Sequence, residues 1–224
     1  MHKVIIIVLV ILLLVILFFY SKKSKFASQL GADDWVLTHY DKNDGYFVDV
    51  GCADGEDLSN TYKLDHRGWK GICIDAFPKN FGNRPNSIIE TAVLADVAGK
   101  EVEFAKYNTD ENLSGIKDKI TYLKDIVLTE NSDTTVEKFT TQTLGSILEK
   151  HGAPSFIEYM SLDVEGGEYD ILKTFDFNKY TFGVITIEHN YQEPIRTDIM
   201  NLLKEKGYTR EKEVQFDDWY VKNK

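Results

Sequence analysis

The apolar positions of this chain fall into two unlike regimes. From Val4 to Tyr20 every residue is apolar or aromatic, with no charge, Gly or Pro. Beyond residue 25 the apolar residues come in short bursts separated by polar stretches. A helix across a hydrocarbon core of ~30 Å takes roughly 17–25 apolar residues, and the first run sits at the short end. Phe18, Phe19 and Tyr20 at its close suit the membrane interface. A cleaved signal peptide competes with this reading, but its apolar region is ~7–15 residues and ends on a small-x-small site. Here Ser21-Lys22-Lys23-Ser24-Lys25 follows instead. The pattern predicts an N-terminal transmembrane helix inside an anchor segment, 1–25, and a folded body over 26–224.

Within the body, residues 26–40 read as a connecting helix with a turn-rich exit at Asp41–Gly45. Buried strands are expected at Tyr46–Val50, Gly71–Asp75, Ser87–Leu94, Phe156–Asp163 and Gly183–Glu188, with a short one at Glu101–Lys106. Helices are expected at Glu56–His66, Thr143–His151, Gly167–Phe175 and from Pro194 to about Lys206. Two closing strands fit into 208–222, and the polar stretch 107–133 reads as a long surface insertion. Alternating strands and helices with unbroken apolar strand cores argue for an α/β fold, a mostly parallel, doubly wound sheet.

Charge sharpens the division. The chain carries −10 in total, from 26 Lys+Arg and 36 Asp+Glu. Lys3, Lys22, Lys23 and Lys25 all flank the apolar run and no acid precedes Asp33, so the body alone carries −14. That acidity opposes binding to nucleic acid. The excess of Lys after the run orients the body towards the cytoplasm as a single-pass membrane protein, by a margin of about one charge. Cys52 and Cys73 fit buried thiols or a disulfide, and Asn112-Leu113-Ser114 is a single glycosylation pattern.

Ligands of open α/β sheets bind beyond the carboxyl ends of the strands. The first strand runs into Asp49-Val50-Gly51-Cys52-Ala53-Asp54-Gly55. Its glycines permit a tight turn and close approach of a ligand, and its carboxylates would repel a pyrophosphate. An ordinary strand-to-helix turn is the plainer alternative. Asp75, closing the second strand, is placed to accept both hydroxyls of a ribose. Acidic loop and ribose acid without a phosphate cradle describe a nucleoside cofactor such as S-adenosylmethionine.

The stretch Gly45 to Gly55 resembles the first motif of FkbM-type methyltransferases. The similarity continues through Ser59-Asn60-Thr61, Gly68 to Asp75, Leu113-Ser114-Gly115-Ile116 and Ser161 to Glu168. Cys52 stands where the family often has Ala, and Asp75 where Glu is common. The resemblance implies a class I, Rossmann-like methyltransferase using S-adenosylmethionine. It places Asp49, Gly51, Asp54 and Gly55 around the methionine part, Asp75 on the ribose, and Ala76 and Phe77 beside the adenine. Thr91, with Glu90 and Ala92, would lie at the adenine edge, and core packing is the plainer role for Phe77.

At the reacting end, His189 is read as a general base for a hydroxyl acceptor, with Asp163 orienting it. A purely structural His189 is the alternative. Asp163, Glu188 and Asn190 form an alternative divalent cation site, and Glu165 and Glu168 read as helix-start charges. The expected function is O-methylation of a small molecule, glycan or lipid-linked acceptor held near the membrane by residues 4–20. A membrane-tethered interaction protein that kept the fold but lost catalysis is the competing reading. A nicotinamide oxidoreductase is weakened by the missing phosphate fingerprint.

Overall fold

The structure is a computed structural model that describes residues 28–110, 113–120 and 133–224. The transmembrane helix expected over 4–20 lies outside them. Among the described residues no helix is long and apolar enough to cross a membrane.

Strand β1 (Tyr46–Val50) shows how the sequence builds the fold. Successive side chains of a strand point to opposite faces. Val48 and Val50 accordingly enter one core, with Ile72, Ile74, Met160 and Leu162 from neighbouring strands. Phe47 enters the other, against Trp35, Leu64, Trp69 and Tyr159. A strand buried on both faces must be covered on both. Helices α1 (Ala32–His39) and α2 (Tyr62–His66) cover the Phe47 face. Helices α3 (Leu144–Lys150), α4 (Glu168–Lys173) and α5 (Ile195–Glu205) cover the Val48 face. Thr143 caps α3 by accepting from Ser146 N at 3.2 Å, and Pro194 is the N-cap of α5.

With β2 (Lys70–Asp75), β3 (Ser87–Thr91), β7 (Phe156–Leu162), β8 (Thr181–Glu188), β9 (Tyr208–Val214) and β10 (Asp217–Lys222), the main sheet has the order β3-β2-β1-β7-β8-β10-β9. Pairing is parallel from β3 through to β8, and β10 and β9 close it antiparallel. This is the mostly parallel α/β sheet the alternation pointed to, consistent with the Rossmann-like fold the resemblance implied. Strand order reverses between β1 and β7, the place where such sheets take ligands.

Three expectations are corrected. The strand at Glu101–Lys106 is not part of the main sheet. As β4 (Glu101–Tyr107) it is the centre of a separate antiparallel sheet, between β5 (Ser114–Ile116) and β6 (Thr134–Thr140). The stretch 107–133 is therefore not all surface insertion, since β5 falls inside it. Strand β6 escaped detection because most of its residues are exposed, leaving no buried alternation. The helix expected over Glu56–His66 forms only from Tyr62. Asp57, Ser59 and Asn60 bring side chains that compete for backbone bonds, and Leu58 takes a left-handed φ of 60°.

Candidate active site

A cleft of about 530 Å³ opens at the carboxyl ends of β1, β2 and β7, a size suited to a small-molecule ligand. The small sheet forms its far wall through Phe104, Asn108, Ser114 and Ile116. Ser114 and Ile116 belong to a stretch that the family resemblance includes, but a wall built on paired strands was not foreseen, because nothing local in the sequence joins β4 and β5 to the loops of the main sheet.

Gly51 closes the floor. Its N–H donates to Ile74 O at 2.9 Å, while Asp163 N donates to Val50 O at 2.9 Å, so the ends of β1, β2 and β7 are stitched together. Gly51 has φ 80°, and a Cβ there would lie 1.5 Å from the carbonyl oxygen of Asp163. At Gly55 a Cβ would meet the Phe81 ring at 2.8 Å.

The acids foreseen in this region differ in their surroundings. Asp75 accepts from Ala53 N at 2.9 Å and Phe77 N at 2.7 Å, one on each oxygen, which ties the glycine loop to β2. Each oxygen keeps a lone pair for a ligand, and burial pushes the carboxyl above its usual range. Asp49 accepts from Thr61 Oγ1 at 2.6 Å, and burial raises its proton affinity too. Asp54 is the reverse case. Partial burial pushes its carboxyl up, but bonds from Glu56 N, Asn80 Nδ2 and Asp57 N outweigh that and hold it low.

Asp49, Gly51, Asp54, Asp75, Ala76 and Phe77 all line the cleft. Phe77 also packs edge-on against Phe104 and Phe139, with centroids 5.8 and 5.5 Å away, so it joins the small sheet to the end of β2. Gly55 is buried just behind the loop. Thr91 is exposed and does not line the cleft. It is the last residue of β3, and the chain turns in after it, so Ala92, Val93 and Leu94 supply that wall.

At the opposite end three carboxylates converge. One oxygen each from Asp163, Glu165 and Glu188 lie within 4.8 Å of one another. Asn190 Nδ2 donates to Glu188 Oε2 at 2.6 Å and to Glu165 Oε2 at 3.2 Å, holding the pair together. Glu165 thus takes the place that sequence reasoning gave to Asn190 in the trio, and the Asp-x-Glu spacing was the available signal. Glu168 does act as a helix-start acceptor, for Val164 N and Gly166 N. Burial, then the charge of Glu168, pushes Glu165 up to about 8, and burial, then the charge of Glu165, does the same to Glu188; burial with Glu188 beside it raises Asp163 well above its ordinary value. Asp163 Oδ1 is shielded from solvent and has no hydrogen-bond partner among the described residues. Such a cluster holds either protons or a cation.

His189 does not reach this cluster. It follows Glu188 directly, and adjacent positions at a strand end face opposite sides of the sheet. Its Nδ1 accepts from Tyr191 N at 2.9 Å, and its Nε2 lies 3.6 Å from Asp218 Oδ1, with the side chain only 2% exposed. Burial lowers its proton affinity. The reading of His189 as base, oriented by Asp163, is therefore corrected: its place is structural. His189→Ala is expected to lower stability by roughly 1–3 kcal/mol while leaving ligand affinity at the cleft unchanged. Thermal denaturation and calorimetric titration would check the pair of effects.

Comparison with known proteins agrees with this geometry. No curated protein and no solved structure matches the chain. A family model does match: the methyltransferase FkbM domain, over residues 49–210. That span opens on Asp49 at the end of β1 and takes in the glycine loop, Asp75, the small sheet and the three clustered carboxylates. With well over half of its length matched, and a cleft at the switch point of the sheet, the chain belongs to the FkbM methyltransferase family.

Proposed function

We propose that the chain is an S-adenosylmethionine-dependent methyltransferase acting on a hydroxyl of a small-molecule, glycan or lipid-linked acceptor. The observation that carries this is the pairing, across one cleft, of an acidic glycine loop with a second carboxylate cluster. The fit to the cofactor is chemical. Asp49 offers an anionic partner to its cationic amino-acid part, Asp75 keeps free lone pairs for a ribose, and Ala76, Phe77, Ala92 and Val93 form an apolar slot for a base. The cofactor supplies an activated methyl group. The chain's own task is to align the acceptor and take up its proton. Glu165 is buried, lines the cleft, and has its proton affinity lifted to about 8, so its ionised form, populated at and above that pH, is a strong base for that uptake.

The same trio supports a second reading, favoured by the unpartnered Asp163 Oδ1. Hard divalent cations take carboxylate oxygens in this kind of cluster, and Asp163, Glu165 and Glu188 would hold one that polarises the acceptor oxygen. Activity unchanged by EDTA would dispose of it. Residues 4–20, as a membrane anchor with the body on the cytoplasmic side, would keep the enzyme beside a membrane-associated acceptor. Protease protection on intact membranes tests that placement.

Calorimetry with S-adenosylmethionine tests the core of the proposal. The full chain is expected to bind it, and no binding at millimolar ligand would favour a tethered interaction protein instead. Asp75→Ala is expected to weaken binding by at least about tenfold, since it removes a charged acceptor for the ribose and frees the Ala53 and Phe77 amides. Supplying methyl-labelled cofactor to membranes then shows whether lipid, glycan or protein is the acceptor.

A further inference from the structure

Arg84 is 4% exposed and does not line the cleft, yet it touches nearly everything that shapes one side of it. Its Nη1 donates to Gly55 O at 2.8 Å and to Ser59 Oγ at 3.0 Å. Its Nη2 donates to Thr61 Oγ1 at 2.7 Å and lies 3.4 Å from Cys73 Sγ. Nε lies 3.4 Å from Asp65 Oδ2, and both side chains are fully buried. The Phe47 and Phe81 rings sit 5.7 and 5.6 Å from the guanidinium carbon.

A guanidinium is costly to bury unless its donors are used. Here the Nη donors are spent on a segment that has no helical bonds of its own, while Nε faces Asp65 without a hydrogen bond among the described residues. Residues 56–61 run irregularly before α2 begins, and Asp57, Leu58, Ser59 and Asn60 of that segment line the cleft. Arg84 supplies the cross-links a helix would have provided. The direction of its bond to Thr61 matters as well. A guanidinium only donates, so Thr61 Oγ1 accepts from Arg84 and must turn its own hydrogen to Asp49 Oδ2, 2.6 Å away.

Resting on the cofactor reading of the cleft, we propose that Arg84 is a positioning residue for S-adenosylmethionine. Its fork fixes the Gly55–Thr61 wall and, through the Thr61 hydroxyl, holds Asp49 aimed at the cationic end of the cofactor. Lys cannot replace it, because a single ammonium cannot reproduce the planar fork.

The test is calorimetric titration of S-adenosylmethionine into the full chain and five variants, with melting temperatures measured alongside. Thr61→Val and Arg84→Lys are each expected to weaken affinity about tenfold, while Thr61→Ser, which keeps the hydroxyl, stays within about twofold. Their combination should lose less than the product of the single losses, since both break one relay. Ile147→Val, in the core on the α3 face, is expected to lower the melting temperature without changing affinity. Affinities near wild type in Thr61→Val and Arg84→Lys, or losses that simply multiply, would overturn the proposal. If Arg84→Lys does not fold, the contrast between Thr61→Val and Thr61→Ser decides it. If wild-type protein binds no S-adenosylmethionine, the cofactor reading fails and the positioning role fails with it.

Discussion

Gly51→Ala is expected to abolish the native fold of the cleft, with a stability loss of several kcal/mol and no measurable cofactor binding. Two costs combine at this position. A φ of 80° strains any residue with a Cβ, typically by about 1–2 kcal/mol. The added carbon would also sit 1.5 Å from the carbonyl oxygen of Asp163, inside its van der Waals shell. That oxygen cannot move alone, because Asp163 N is bonded to Val50 O and Gly51 N to Ile74 O. Relieving the clash means prising β1 from β7 at the ligand-binding end. Gly31 provides the control. Its φ is 78°, nearly the same, but a Cβ there would meet none of the described residues within 4 Å. Gly31→Ala should therefore cost only the backbone strain, about 1 kcal/mol. Denaturant unfolding of both variants separates the two contributions. Equal effects would show that the close approach of Gly51 to Asp163 is wrong.

Gly51 was legible in the sequence because a glycine directly after a buried strand marks a tight turn or a close backbone approach. The same holds for β1, β2, β7 and β8, whose apolar runs are buried on both faces. Asp75 was legible as an acid at a strand end, although its bonds to Ala53 N and Phe77 N, which make it a loop clamp, were not. What escaped reading depends on contacts remote in sequence. His189 looked like a base because residue type and strand-end position were visible, while the face it takes was not. The alternation at Glu188-His189 assigns only one of them to the carboxylate cluster, and the packing of β10, through Asp218, draws His189 to the other side. Arg84 was invisible for a related reason. Its role comes from ligating Gly55, Ser59 and Thr61, residues more than twenty positions upstream. Ile116 and Ser114 reach the cleft only because β5 pairs with β4.

The carboxylate cluster makes stability depend on pH in an unusual direction. Glu165 and Glu188 rise from the ordinary 4.5 to about 8 in the folded protein. Between those values the native state holds protons that the unfolded chain has released, so stability falls as pH rises. The contribution is fully present below about pH 4.5 and is lost as pH climbs towards 8. At 1.36 kcal/mol per pKa unit, the loss for one such group is on the order of 5 kcal/mol. Other carboxylates act oppositely. Asp218, for instance, is pushed up by burial but held low overall by Arg196 and Arg210, so it stabilises as it ionises. The wild-type curve therefore mixes both signs, and the informative quantity is its difference from a variant. Glu165→Gln should be less sensitive than wild type to a rise from pH 5 to pH 8, because one of the two protonated carboxylates is gone. Magnesium supplies the second arm. If Asp163, Glu165 and Glu188 hold a cation, millimolar magnesium restores wild-type stability at pH 8 by replacing the protons, and releases protons on binding. Glu165→Gln loses that response. A magnesium-insensitive wild type that still loses stability relative to Glu165→Gln assigns the cluster to proton uptake. Parallel curves for wild type and variant would mean that the three carboxylates are ionised and apart in solution.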